Sequence, residues 1–455
     1  VSRAHQLKIG VSGIRGVVGE FLTPNLACAF AQAFGTYVGP GRVVLGRDTR
    51  PSGAMIEHAV ACGLLAAGCE VIKVGIQPTP TIQVYVAETG ARGGIAITAS
   101  HNPPEYNALK LFNREGLFFN QYERAELIDL YHQSQFREVV NEEVRGVSVD
   151  LESPPERHFA RVLAHASQER IRARRFRVAL DGVNGAGAEM SVRFLRGILG
   201  CELHAIGVDP SQPFSREAEP GPETLGDLRA LIARRGAEVA FAQDPDGDRL
   251  AIGDETGRIL DNDDVLALAV DCVLARTKGP VVVNLTTSLA VEEAAARHGC
   301  RVHRAPVGEA NVVERMRAVG AVIGGEGSNG GIIFPAVHYC RDSYAGMALI
   351  LDRLAGGGLR MSELAASLPR FFRRSGKFPY RHGTLGRVTQ GLEAAFPGAA
   401  VDRSDGFRVT LDRAWIHVRA SNTEPVMRLA CEAGTEERAG ELYRVGEKLI
   451  GAAAP

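Results

Sequence analysis

The sequence predicts an α/β protein: three similar α/β domains with mixed, mostly parallel sheets, plus a smaller C-terminal α+β domain, set around a central cleft. Three observations predict it. Strand-like runs alternate with helical patterns over most of the length, the signature of sheets covered by helices on both faces. A loose repeat recurs three times, each unit opening with an apolar strand that runs into a polar or glycine-rich turn and later supplying a second strand and loop. The final segment breaks this pattern with short strands followed by one helix. At 455 residues the chain also exceeds one hydrophobic core, in line with domains of roughly 100 to 200 residues each.

In order along the chain, the opening strands are residues 42–48, 177–182 and 281–284. The second strands are 95–97 leading into 98–103, 239–242 leading into 244–249, and 321–323 leading into 324–331. By the rule that ligands bind beyond the carboxyl ends of parallel strands, these three loops share one cleft. In the last part, 407–411, 415–419 and 427–431 read as three antiparallel strands, followed by a helix over 436–449. Linkers fall near 152–155, 253–257 and 368–370, which sets the domains at 1–150, 151–254, 255–367 and 368–455.

Composition excludes several classes. Fifty-two basic side chains against fifty-three acidic ones leave a net charge of −1, so there is no bulk attraction to nucleic acid or membrane and any anion site is local. The eight cysteines are scattered without metal-finger spacing, which predicts reduced, structural thiols. The first residues carry no apolar stretch, and the longest apolar helical patch, 265–275, is interrupted by Asp271, so a cytoplasmic protein is expected.

Four loops carry chemistry. Thr98-Ala99-Ser100-His101-Asn102-Pro103 puts a hydroxyl nucleophile where a strand gives way to a polar turn, although Ser100 read alone is equally an ordinary turn or cap residue. Asp244-Pro245-Asp246-Gly247-Asp248-Arg249 converges three carboxylates, the oxygen donors that a hard divalent cation wants. An EF-hand reading fails because Arg249 stands where that loop needs glycine and residues 250–252 continue as a strand. Gly324 to Gly331 has no helix-opening lysine and is not a Walker loop; its glycines let Glu326, Ser328 and Asn329 project toward a polyhydroxylated ligand. Arg419-Ala420-Ser421-Asn422-Thr423 offers a guanidinium, hydroxyls, an amide and backbone N–H groups, a phosphate cradle that could also be a plain polar turn. Two further cations are candidates: the glycine-flanked Arg15, suited to balancing phosphate charge, and Lys110, able to move protons if burial or cationic neighbours lower its pKa.

The ordered set SGIRG, TASHNP, DPDGDR, GGEGSNGG and RASNTEP resembles the α-D-phosphohexomutase superfamily of phosphoglucomutases, phosphomannomutases and phosphoglucosamine mutases, across almost the whole chain. The resemblance implies that Ser100 carries a phosphoryl group and that Asp244, Asp246 and Asp248 hold Mg²⁺ beside it. It implies His101 and Lys110 as acid/base groups and Arg15 and Arg249 steadying the phosphoryl. It assigns sugar contacts to Glu326 and Ser328, and the non-reacting phosphate to Arg419, Ser421, Asn422 and Thr423. A sugar 1,6-bisphosphate would be both intermediate and activator, the partner a small sugar phosphate and no nucleic acid or membrane, and the protein a monomer or homodimer. The chain departs from the Gly-Glu-x-Ser-Gly-His pattern of many members, having Ser328-Asn329-Gly330-Gly331 and no histidine. That departure, with Asn107-Ala108-Leu109-Lys110, resembles the archaeal-type phosphoglucosamine mutases, so glucosamine phosphate is the expected substrate with mannose or glucose phosphate close behind. A sugar-1,6-bisphosphate synthase and a non-catalytic sugar-phosphate sensor are the alternatives.

Overall fold

The computed structural model describes residues 8–10, 13–380, 383–421 and 426–453. Its first sheet has seven strands, β1 (Lys8–Gly10), β2 (Gly13–Val17), β3 (Arg42–Arg47), β4 (Glu70–Ile76), β5 (Gly93–Ile97), β6 (Tyr106–Asn113) and β7 (Val147–Val149), in the order β1-β2-β6-β5-β3-β4-β7. Strand β3 runs parallel to β4 and β5, whereas β6 returns antiparallel to β5. The second sheet comprises β8 (Arg177–Asp181), β9 (Glu202–Ile206), β10 (Val239–Gln243) and β11 (Leu250–Asp254) in the order β11-β10-β8-β9, with only β10 and β11 antiparallel. The third repeats this with β12 (Val281–Asn284), β13 (Val302–Ala305), β14 (Ile323–Glu326) and β15 (Gly331–Ile333), ordered β13-β12-β14-β15, where β14 and β15 are the antiparallel pair. Strands β5, β10 and β12 are buried along their whole length, as near-continuous apolar runs covered on both faces must be. The expected three α/β domains are therefore present, as is the smaller antiparallel one.

The second and third domains share one apolar core that runs from Phe159 to Ala365. Its centre is the helix Asn262–Leu274, which is apolar nearly all round and so has to be enclosed rather than laid on a surface. The first domain and the last have cores of their own. The last sheet is β16 (Phe372–Pro379), β17 (Ala400–Asp402), β18 (Phe407–Leu411), β19 (Ala414–Ala420) and β20 (Val426–Ala433), all antiparallel in the order β16-β20-β19-β18-β17, with the helix Glu436–Ala453 packed on it.

One expectation is corrected. The last sheet has five strands, not three: β16 and β17 are edges, and β16 reads Phe-Arg-Arg-Ser-Gly-Lys-Phe-Pro, too polar to show as a strand in sequence. At residues 152–155 the chain enters the helix Ser153–Leu163, with Pro154 and Pro155 in its first turn, where a missing N–H costs nothing. The turn at 253–257 closes back on β11, with Leu260 N–H donating to Ile252 C=O at 2.9 Å. All eight cysteines are free. Among the described residues no helix is long and apolar enough to cross a membrane.

Candidate active site

Each α/β sheet ends in the same device: a buried parallel strand whose carboxyl end turns back into an antiparallel neighbour. The turns between β5 and β6 and between β10 and β11 carry Ser100 and the three aspartates, and Glu326 ends β14 just before its turn into β15. Buried strands cannot carry unpaired polar groups, so the polar side chains gather where the strands stop, and the three stops converge.

Ser100 is buried and has φ +49°, a left-handed conformation that a serine holds only when its surroundings impose it. Arg50 imposes it. Its fully buried guanidinium donates from Nη2 to the carbonyls of Ser100 and Asn102, both at 2.7 Å, and from Nη1 to those of Pro103 at 2.6 Å and Tyr106 at 2.9 Å. Its Nε donates to Asp48 Oδ2 at 3.0 Å, and Asp48 also accepts from Thr98 Oγ1 at 2.6 Å, which in turn accepts from Ser100 N–H at 3.0 Å. Burial raises the Asp48 pKa against the opposing pull of Arg50. The result is a fixed loop with Ser100 Oγ donating to Asp244 Oδ2 at 2.7 Å.

Asp244, Asp246 and Asp248 are buried, with one carboxylate oxygen of each lying within 4.8 Å of the others. Gly247, at φ +67°, makes the turn that brings them together. Asp246 Oδ2 accepts from Lys110 Nζ at 2.5 Å and from Thr79 Oγ1 at 2.6 Å, and Asp248 Oδ2 accepts from Lys110 at 3.1 Å and from Arg341 Nη2 at 2.7 Å. Oδ1 of Asp246 and of Asp248 are buried without a hydrogen-bond partner. Burial and then the charges of Asp246 and Asp248 push the Asp244 pKa well above the usual carboxylate range. Crowded, buried, partly orphaned carboxylate oxygens next to an acceptor hydroxyl fit a hard divalent cation, and the three aspartates are the residues to hold it.

The cations are arranged around this triad. Burial would lower the Lys110 pKa, but the carboxylates of Asp246 and Asp248 outweigh it and the pKa is raised. The expectation of a lowered lysine pKa is thus corrected, because the lysine's neighbours are anions. Arg249 donates from Nη2 to His101 Nδ1 at 2.8 Å and pairs with Glu219. Burial, then Arg249, Arg15 and Arg341, depress the His101 pKa to about 2. With Nδ1 accepting, His101 carries its proton on Nε2 and is a donor there rather than a base. Arg15 donates to Asn102 Oδ1 at 2.7 Å. Arg15, Ser100, His101, Lys110, Arg249 and Glu326 line one pocket of about 140 Å³ together with Glu309 and Arg341. Glu326 Oε1 is oriented by Asn284 Nδ2 at 3.0 Å and Gly308 N–H at 2.8 Å.

Arg419, at the start of the fourth loop, lines a second, larger cavity of about 1300 Å³ between the third and last domains, together with Ser328 among others. Glu326 and Ser328, two residues apart, thus face the two cavities and make the loop after β14 their common wall. Arg419 is paired with Asp405 at 3.5 Å, and Ser421 N–H donates to Val426 C=O at 2.8 Å. Asn422 and Thr423 lie outside the described residues, as does the side chain of Asn329.

Four profiles, described as phosphoglucomutase/phosphomannomutase alpha/beta/alpha domains I, II and III and the C-terminal domain, match residues 6–138, 156–257, 261–372 and 386–444. The chain belongs to the phosphoglucomutase/phosphomannomutase family. A "probable phosphoglucosamine mutase" of Methanopyrus kandleri is 38% identical over 440 residues, covering 95% of each chain. A "phosphoglucomutase/phosphomannomutase" of Thermococcus kodakarensis is 36% identical over 450 residues, covering 97% of this chain and 98% of its own. The crystal structure of a family member from Burkholderia thailandensis superposes with a TM-score of 0.85 at 27% identity, covering 100% of this chain and 98% of the other. Like these relatives, the protein is an isomerase of the phosphohexomutase kind.

Within this family member, sequence reasoning missed Arg50, Asp48, Thr79, Glu309 and Arg341. The signal for the first two was an Asp-x-Arg directly after the opening strand β3; for Arg341 it was an arginine before the helix-capping Asp342. Arg50→Ala leaves Asp48 buried without its cation and takes a donor from each of four carbonyls. A loss of about 3–5 kcal/mol in urea unfolding is expected, and a loss below about 1 kcal/mol would contradict the fixed-loop account.

A pH effect follows in the larger cavity. Burial lowers the His417 pKa from 6.5 to about 4, with Nε2–H donating to Asp405 C=O at 2.7 Å. A histidine kept neutral in the fold binds fewer protons there than in the unfolded chain between these values. Stability from this group is therefore lost as pH falls from 6.5 to about 4, at about 1.4 kcal/mol per pH unit. Unfolding midpoints of wild type and His417→Gln across that window should diverge by this slope; parallel curves would refute it.

Proposed function

We propose that the protein interconverts hexose 1-phosphates and 6-phosphates through a phosphoserine at Ser100 and a sugar 1,6-bisphosphate, with glucosamine phosphate as preferred substrate and mannose or glucose phosphate close behind. The observation that carries this reading is Ser100 Oγ at 2.7 Å from Asp244, in one pocket with Arg15, Lys110, Arg249 and Glu326. Phosphoserine and a substrate phosphate together bring roughly four negative charges, and a pocket this basic suits them. Mg²⁺ held by Asp244, Asp246 and Asp248 would supply further positive charge against a phosphoserine oxygen.

In the first half-reaction the bond from phosphorus to Ser100 Oγ breaks as one forms to the sugar oxygen, and the proton of the sugar hydroxyl ends on Ser100. Arg15 and Arg249 balance the phosphoryl charge. His101, held by Arg249, donates through Nε2, and Lys110, kept protonated by Asp246 and Asp248, acts as the acid that can give a proton to the departing oxygen. Glu326 and Ser328 bind sugar hydroxyls, while Arg419, Ser421, Asn422 and Thr423 take the distal phosphate. The bisphosphate turns end for end, and the second phosphate returns to Ser100 by the reverse steps. The large cavity behind Glu326 supports this, since it gives the ligand room to turn beside the small reactive pocket. The preference for glucosamine phosphate is supported by the relatives named probable phosphoglucosamine mutase and by the sugar-loop sequence Ser328-Asn329-Gly330-Gly331, which resembles the archaeal-type phosphoglucosamine mutases.

The test is purified protein with Mg²⁺ and a trace of sugar bisphosphate, offered glucosamine, N-acetylglucosamine, glucose and mannose 1-phosphates in parallel. Fastest conversion of glucosamine phosphate is expected. Conversion of none would sink the mutase reading, and bisphosphate accumulating as the end product would make the protein a synthase.

A further inference from the structure

Arg341 enters the Ser100 pocket by an unusual route. It follows β15 and bridges back to Ile333, and its stem lies across Gly331: a Cβ at Gly331 would fall 2.2 Å from Arg341 Cδ and 2.8 Å from Cγ. Gly331 is not in the left-handed region, so its backbone does not demand glycine; the crossing arginine does. Gly331 belongs to the stretch where the chain lacks the loop histidine, so a second glycine and a buried arginine occur together.

The guanidinium is nearly buried and held in a set plane. Nε donates to Glu309 Oε2 at 2.8 Å and Nη2 to Asp248 Oδ2 at 2.7 Å. Nη1 makes no hydrogen bond among the described residues; its nearest ion-pair oxygen, Glu326 Oε2, is 3.9 Å away. The side chain lines the same pocket as Ser100, between the metal loop on one side and the sugar-facing Glu326 on the other. A fork with two nitrogens fixed by buried carboxylates and one left over in a reactive pocket is a preorganised donor.

We propose that Arg341 is a substrate-contacting residue, threaded over Gly331 so that Nη1 donates to the reacting phosphoryl group at its sugar end. The proposal rests on the mutase reading above. In this account Gly331 is a positioning residue whose missing side chain admits the arginine stem, and Glu309 orients the guanidinium plane.

The experiment measures turnover of hexose 1-phosphate, together with Mn²⁺ affinity by electron paramagnetic resonance, for wild type, Arg341→Gln, Gly331→Ala and the double variant. Arg341→Gln should lower kcat about 100-fold. Mn²⁺ should bind as tightly or more tightly, because a cation beside the aspartates has been removed. Gly331→Ala should lose nearly as much, and the double variant no more than either alone, since both remove one interaction. The proposal is overturned if Arg341→Gln keeps kcat within about threefold, or if raising Mn²⁺ restores its rate, which would make Arg341 a support for the metal loop only. Should Arg341→Gln fail to fold, a Gly331→Ala enzyme with wild-type kcat overturns it as well. A wild-type protein without mutase activity would instead refute the parent reading, so the two failures are separate.

Discussion

Ser100→Ala is expected to lower hexose phosphate interconversion by at least about 10⁴-fold while leaving the fold intact. The hydroxyl is the group at that position able to form the proposed covalent phosphoryl intermediate, and alanine loses its bond to Asp244 Oδ2 but keeps the backbone contacts that hold the loop. Arg50 grips the carbonyl of residue 100 and Thr98 Oγ1 its N–H, so the loop does not depend on the side chain. Alanine at φ +49° is no more strained than serine there. Intact mass spectrometry of the purified protein should show a phosphate on wild type that the variant lacks. A variant with more than about one hundredth of wild-type turnover would mean that phosphoryl transfer runs without a serine intermediate.

Asp244→Asn is expected to act in opposite directions on stability and activity. Asp244 is the carboxylate of the triad whose pKa is driven up, first by burial and then by Asp246 and Asp248, so its charge is held at a cost. A folded pKa raised above the unfolded one means stability that is present at low pH and lost as pH rises. Asparagine removes that loss, keeps an acceptor for Ser100 Oγ or Arg249 N–H, and should raise the melting temperature measured in EDTA at neutral pH. The same change deletes a proposed cation ligand beside the proposed nucleophile. Turnover should fall at least about 100-fold, and added Mg²⁺ should stabilise the variant less than wild type. A variant destabilised in EDTA, or one still stabilised by Mg²⁺ as wild type is, would refute the triad's role as a strained cation site.

Local sequence revealed the loops because the chemistry they imply needs rare residue types close together. Three aspartates at alternate positions around Pro245 and Gly247, or a serine after an apolar strand, stand out in a few residues. The residues that sequence reasoning missed are single, ordinary side chains whose partners are far away in the chain. Arg50 acts on carbonyls fifty or more residues on, and Arg341 on Glu309, Asp248 and Glu326 from three separate segments. The polar edge strand β16 was hidden for the same kind of reason: its pairing with β20, not its own pattern, makes it a strand.

By itself, then, the sequence determined the α/β architecture, the family and the four loops, since periodicity and short motifs are properties of neighbouring residues. Only the tertiary structure decided the state of the groups in them. Whether Lys110 is held charged or His101 neutral depends on burial and on charges brought within a few ångströms from other domains, and whether Asp244 is strained depends on its burial with Asp246 and Asp248. At that range and in a site shielded from water, electrostatic energy is set by distance in space, which distance along the chain does not encode.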